Sequence, residues 1–214
     1  MKVAIDGPAG SGKGTISSIL AKKCSLTYID TGVTYRCVAL KVIEKGIDLD
    51  DKDAIIDIAS KIDIKFMSDG VTYLDGKDVS SKIRSKEVTS IVSPISSIPK
   101  VREYMVELQR NMANSEDVIM EGRDITTVVL PDADYKFYLD ASIGERAKRR
   151  YIQNQEKGIN MSLEEIKSSI ETRDYNDMHK EVGALKRTDN QIYIDTSNLT
   201  IDEVVDSIRK VIGR

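Results

Sequence analysis

The chain has 214 residues, enough for one long α/β domain or for a core carrying inserted subdomains. Lys and Arg total 32 against 35 Asp and Glu, a net charge of −3 that argues against a broad basic surface for nucleic acid but permits a local phosphate site. Tryptophan is absent and only two phenylalanines occur, so Ile, Val and Leu have to fill the interior.

Val3-Ala4-Ile5 reads as a short buried strand that runs into a glycine-rich loop. Residues 13–22 then turn helical, with Ile16, Ile19 and Leu20 on one face. A second strand is expected over 26–30, a helix over 35–45 closed by Gly46, and another helix over 53–61. From Ile62 the period changes to two. Ile62, Ile64 and Phe66 alternate with charged residues, and Asp69-Gly70 and Asp75-Gly76 mark tight turns. A small antiparallel β-insert is therefore predicted over about 62–84. Helix resumes near Lys86, interrupted at Pro94 and Pro99, and a separate helix is expected over 101–112. Strands follow at 118–120, 135–139 and 191–194, with helices at 143–155, 163–178 and 201–212. Strands alternating with helices predict an α/β fold with a mostly parallel sheet covered on both faces.

Gly7-Pro8-Ala9-Gly10-Ser11-Gly12-Lys13-Gly14-Thr15 lies between a predicted strand and a predicted helix. Glycines let backbone N–H groups curl around phosphate oxygens, and the helix that follows adds the positive end of its dipole. Lys13 is placed to reach the β- and γ-phosphates of a nucleotide. The general phosphate-loop pattern continues Lys-Ser/Thr, whereas here Gly14 intervenes before Thr15. No Asn-Lys-x-Asp guanine-reading motif occurs.

Two further segments fall at the expected carboxyl edge of the sheet, where open α/β sheets bind ligands. Asp30-Thr31-Gly32-Val33-Thr34-Tyr35-Arg36 is either a second phosphate holder or a capped helix start with an exposed arginine. Glu121-Gly122-Arg123-Asp124 either points into the ligand crevice or closes a strand end with a surface ion pair. Arg146, Arg149 and Arg150 share a helical face that either receives an anion or pairs with Glu145 or Glu156. Cys24 and Cys37 read as buried small residues, and the lone His179 as a surface helix residue.

Together these motifs resemble the bacterial cytidylate kinase family over nearly the whole chain. Asp78-Val79-Ser80, Pro99-Lys100-Val101-Arg102, Pro131-Asp132-Ala133, Leu139-Asp140-Ala141-Ser142 and Gln155-Glu156-Lys157-Gly158 add to the likeness. The resemblance implies a P-loop three-layer fold with a core at 1–30 and 85–214, a lid at about 149–160, and a monophosphate-binding region at 31–84. It implies transfer of the γ-phosphoryl group of ATP to CMP or dCMP. It places ATP on residues 7–15 and makes Lys13, Arg123, Arg146 and Arg150 catalytic. Ser93, Arg102 and Asp124 match residues that read the cytosine ring, Arg36 and Arg123 match phosphate ligands, and Thr31 and Asp177 lie near the sugar hydroxyls. Lys180, which the resemblance counts with the CMP-binding residues, stands where the family usually has arginine, and Gly183-Ala184-Leu185 replaces the more familiar Ser-Pro-Leu. Mg²⁺ is expected to arrive with ATP, near Thr15, because no metal cage built from protein ligands alone is apparent. The rival readings are a kinase of AMP, UMP or shikimate, and a non-catalytic nucleotide-binding regulator. The N-terminal apolar run is too short for a signal peptide, and a cytoplasmic monomer that binds neither nucleic acid nor membrane is expected.

Overall fold

The computed structural model describes all residues except 68, 69, 115, 116 and 157. Five parallel strands form the central sheet: β1 (Lys2–Asp6), β2 (Thr27–Asp30), β6 (Val118–Gly122), β7 (Tyr135–Asp140) and β8 (Ile192–Asp195), in the order β2-β6-β1-β7-β8. The near-continuous apolar runs of β1 and β6 fit strands covered on both faces. Val3, Ala4, Ile5, Ile119 and Met120 are all fully buried. Alternation divides them. Val3, Ile5, Ile119, Phe137 and Leu139 pack against α1 (Lys13–Cys24) and α8 (Ile201–Ile212). Ala4, Ile29 and Met120 face the other way, toward Val106 of α5 (Pro99–Met112) and toward Ile125 and Val129. This is the expected helix–sheet–helix sandwich.

A second core joins α2 (Thr31–Glu44), α3 (Lys52–Lys61), α4 (Lys86–Ser96) and α5 to a three-stranded antiparallel sheet. Its strands are β3 (Ile64–Phe66), β4 (Thr72–Leu74) and β5 (Lys77–Asp78). Asp75 and Gly76, with φ of 49° and 77°, make the two-residue turn between β4 and β5, where both central positions need positive φ. The expected Asp69-Gly70 turn involves residue 69, outside the described residues; Gly70 itself has a φ of 87°. The last pair of helices is α6 (Ile143–Glu156) and α7 (Leu163–Met178), packed through Ala147, Ile166 and Ile170. Residue 157, within the expected lid, also lies outside the described residues.

Three local expectations change. The second helix begins at Thr31, four residues early, so Thr31-Gly32-Val33-Thr34 is helical from the strand end onward. Pro94 does not end its helix at once: α4 runs on for two more residues to Ser96, although proline gives no N–H to the carbonyl of Ser90 and its ring crowds that carbonyl. Pro99 instead opens α5 at its first position, where its missing N–H has no intrahelical acceptor. After Asp124 the chain makes a π-helical turn, Ile125–Val129, that no local periodicity announces.

The register brings the strand ends level. Asp6 pairs across to Gly122, Asp30 to Glu121, and Asp140 to Asp195. The phosphate loop after β1, the start of α2 and the turn after β6 therefore gather at one edge of the sheet.

Candidate active site

The loop 7–12 is shaped by close contacts that exclude side chains. A Cβ on Gly7 would run into the Leu139 carbonyl of β7, and Gly10 and Gly12 hold φ of 82° and 93°. The Ser11 hydroxyl donates to the Pro8 carbonyl at 3.1 Å. Lys13 folds back over the loop and donates to the same carbonyl at 2.8 Å. Burial pushes its ammonium well below the ordinary lysine range, with repulsion from Arg123 adding and Glu121 opposing. At Gly14, where the pattern departs, the space beside the backbone is narrow. A Cβ there would lie 3.3 Å from Glu121 Oε1 and 3.4 Å from the Tyr28 hydroxyl. Thr15, one place later, is exposed.

Opposite the loop lies a cationic cluster. Arg36 reaches from α2 to the Ile83 carbonyl at 3.1 Å and to Thr89 Oγ1 at 2.8 Å. Burial pulls its guanidinium below the ordinary value; Asp30 opposes, and Arg84, Arg150 and Arg123 reinforce. Arg123, at the end of β6, donates through Nε to Asp177 Oδ2 at 2.8 Å. Arg173 on α7 is pushed down to about 10 by burial and by Arg123, with Arg36 and Arg150 also repelling it. Like charges held this close favour an anion between them. Asp177 is their internal counterion, pairing with Arg123, with Lys180 at 3.1 Å and with Arg173 at 3.9 Å. Burial alone would raise its carboxyl, yet these cations bring it down to about 2.

The three arginines of α6 do not act alike. Arg146 is buried and donates to the carbonyls of Ala141 at 2.9 Å and Ala9 at 3.0 Å, and to Asp174 Oδ2 at 2.6 Å. It braces the phosphate loop from behind. Arg149 bonds the Thr196 hydroxyl at 3.0 Å and the Thr196 carbonyl at 2.6 Å, beside Gly12. Glu145 pairs with Lys148 at 2.7 Å instead of with an arginine. Arg150 alone is exposed and without a hydrogen-bond or ion-pair partner among the described residues, yet it acts electrostatically on Arg36 and Arg173. The shared basic face expected from spacing is thus divided: two arginines grip the protein and the third makes no such bond among the described residues.

Beyond the cations, Arg102 of α5 and Asp124 form a buried ion pair through Nη2 and Oδ2. Arg102 also donates to the Ser96 carbonyl at 3.2 Å and lies 5.4 Å from the Tyr35 ring centre. Burial raises the Asp124 carboxyl, while Arg102 holds it toward the charged form. Ser93 sits one turn before Ser96 on α4. The Thr31 hydroxyl is engaged, donating to the Glu121 carbonyl at 2.8 Å. That contact fills the space where a Cβ on Gly122 would go, 2.5 Å from Thr31 Oγ1. Lys180 bonds Ser96 Oγ at 3.0 Å. His179 is exposed, stacked on Tyr175 with ring centres 4.0 Å apart.

The family model described as cytidylate kinase matches residues 3–214. The chain belongs to the cytidylate kinase family. A curated cytidylate kinase from Lactobacillus gasseri is 50% identical over 217 residues, covering 100% of this chain and 94% of that protein. Another, from Caldanaerobacter subterraneus subsp. tengcongensis, is 46% identical over 214 residues, covering 100% and 95%. Among solved structures, a shikimate kinase from Bacteroides thetaiotaomicron aligns with a TM-score of 0.51 at 11% identity, over 100% of this chain and 99% of that one; this likeness concerns the fold.

Three residues of this cytidylate kinase family member, Arg173, Asp174 and Asp6, enter the site without standing out in the sequence, and Glu121, part of the strand-end motif, joins them. Glu121 is buried beside Lys13, and burial and Asp30 push its carboxyl up. Arg173 and Asp174 act through tertiary partners, although their helical spacing to Asp177 on α7 was a usable signal. Asp6 ends β1 immediately before the loop. It accepts from Ile125 N at 2.7 Å, Thr126 N at 2.9 Å and Thr126 Oγ1 at 2.5 Å, so it clamps the π turn that follows Asp124.

Proposed function

We propose that this chain transfers the γ-phosphoryl group of ATP to CMP or dCMP, releasing ADP and CDP or dCDP. One observation carries the reading: at a single edge of the sheet, a phosphate loop faces a cluster of arginines that leads on to the buried Arg102–Asp124 pair. A phosphate donor, a phosphate acceptor and a base then have adjoining places. The acceptor is already a phosphate dianion, so no strong general base is needed. Its oxygen attacks the γ-phosphorus as the bond to the β–γ bridging oxygen breaks, and ADP leaves with that oxygen's charge.

The protein's part is to position groups and neutralise charge. Lys13 leaves the Pro8 carbonyl to meet the triphosphate. Arg36, Arg123, Arg150 and Arg173 hold the acceptor phosphate and the transferring group. Arg146 keeps the loop in shape from behind and is a positioning residue in this reading. Ser93, Arg102 and Asp124 read the base: Asp124 accepts from the amino group of cytosine, and faces a like acceptor in the carbonyl of uracil. Asp177 and Thr31 serve the sugar side.

Among the described residues, no group of three or more His, Cys, Asp or Glu side chains is arranged to hold a metal. The Thr15 hydroxyl and the Glu121 carboxylate are oxygen donors at the loop, a set that suits a hard cation carried in by the nucleotide. Held there with the nucleotide, Mg²⁺ would supply charge neutralisation on the phosphates. Closure of a lid at about 149–160, the last turns of α6 and the chain just after it, and of the region 31–84 is proposed to exclude water and suppress ATP hydrolysis.

No helix among the described residues is long and apolar enough to cross a membrane. A cytoplasmic monomer remains part of this proposal. The test is ADP release in a coupled assay with ATP and Mg²⁺. Addition of CMP is expected to start ADP release matched by CDP formation. No release on adding CMP would instead support a non-catalytic regulator.

A further inference from the structure

After α7 the chain turns back across the base-reading pair. Lys180 bonds Ser96, and Leu185 N donates to the Asp177 carbonyl at 2.8 Å, so both ends of the loop are tied to the site. Between them Gly183 holds a φ of +68°. A Cβ built there overlaps Nη2, Cζ and Nε of Arg102. The end of an arginine usually steps aside cheaply. This one does not, because Asp124, the Ser96 carbonyl and the Tyr35 ring already fix it in a buried place. Its Nε has no hydrogen-bond partner among the described residues, and the backbone of Gly183 lies against it.

From this we infer that Gly183 is a specificity-positioning residue: its missing side chain lets Arg102 lie between the loop and Asp124. The inference rests on the reading of Arg102 and Asp124 as base readers. Arg102 engages Asp124 Oδ2, and Oδ1 has no hydrogen bond to any described residue, which leaves it as the acceptor for an exocyclic amino group. Pushing Arg102 aside removes the counter-charge from a buried carboxylate, and a carboxyl that takes up a proton stops discriminating amino from carbonyl.

The test compares Gly183→Ala with Gly213→Ala. Gly213 has a similar φ of +73° and nothing within 4 Å of its Cβ position, so it carries the backbone strain without the contact. Gly183→Ala is expected to raise the CMP KM by about 10- to 100-fold and to narrow the CMP/UMP ratio of kcat/KM, with the ATP KM unchanged. Gly213→Ala is expected to leave all three unchanged. In an Arg102→Ala background, Gly183→Ala should have no further effect. If Gly183→Ala fails to fold, Gly183→Asn serves, since asparagine tolerates positive φ. Equal behaviour of the two alanine variants, or a Gly183 effect that persists without Arg102, overturns the inference. An Arg102→Ala variant with unchanged CMP KM and CMP/UMP ratio overturns it differently, by removing the base-reading role on which it depends.

Discussion

Lys13 is 4% exposed and bonded to the Pro8 carbonyl, so a charged end is held ready inside the loop. Lys13→Met keeps the apolar stem and removes the charge. Turnover should fall by about 100-fold or more, while the thermal melting temperature holds or rises, because a desolvated cation has been removed. Near-normal turnover would remove Lys13 from the chemistry. Asp124 offers the sharper test. Losing a charged contact and leaving a polar group unpaired costs about 2–4 kcal/mol, or roughly 30- to 1000-fold in kcat/KM. Asp124→Asn supplies a donor that uracil can use, so CMP efficiency should drop far more than UMP efficiency. Equal drops would make Asp124 a structural partner of Arg102. The phosphate loop was legible because its signal is local, with glycines, a lysine and a helix start in one short segment. The partners of Arg146 and Arg149 were not legible: Ala9, Asp174 and Thr196 come to them only through tertiary packing.

At the scale of elements, α7 and α8 run over the residues expected, because each opens with a reciprocal cap, Ser162 with Glu165 and Thr200 with Glu203. The early start of α2 had no such mark, since the Asp30 side chain makes no capping bond. The π turn after Asp124 was hidden because Asp6, more than a hundred residues away, holds its N–H groups. α7 also carries a pH signature. Asp177 is drawn from 3.8 down to about 2 when folded, so its contribution is fully present above the unfolded value and is lost as pH falls toward 2. The size is about 2 kcal/mol. Urea unfolding from pH 5 down to pH 2.5 should show this loss in the parent chain and a shallower dependence in Asp177→Asn. Identical slopes would mean that Asp177 is not the counterion of the cluster.

At the scale of the molecule, the antiparallel sheet was visible from its change of period and its turn residues, and the parallel sheet from alternating strands and helices. Strand order was not, since it depends on which crossovers pack. The sheet β3–β5 is joined to α2 by the Lys41–Asp75 ion pair, and Arg36 reaches the Ile83 carbonyl just beyond it. A region tied so directly to Arg36, the arginine proposed to hold the acceptor phosphate, is proposed to close with the acceptor. Amide exchange over about 62–84 should slow on addition of CMP and stay unchanged with ATP alone; no response to CMP would count against that closure. The most direct measurement of the proposed activity is kcat/KM for CMP, dCMP, UMP, AMP and shikimate, each with ATP and Mg²⁺. Transfer directed by the Arg102–Asp124 pair predicts that CMP or dCMP exceeds UMP and AMP by at least about 30-fold, with shikimate inactive. The contradicting result is AMP, UMP or shikimate equal to or better than CMP and dCMP.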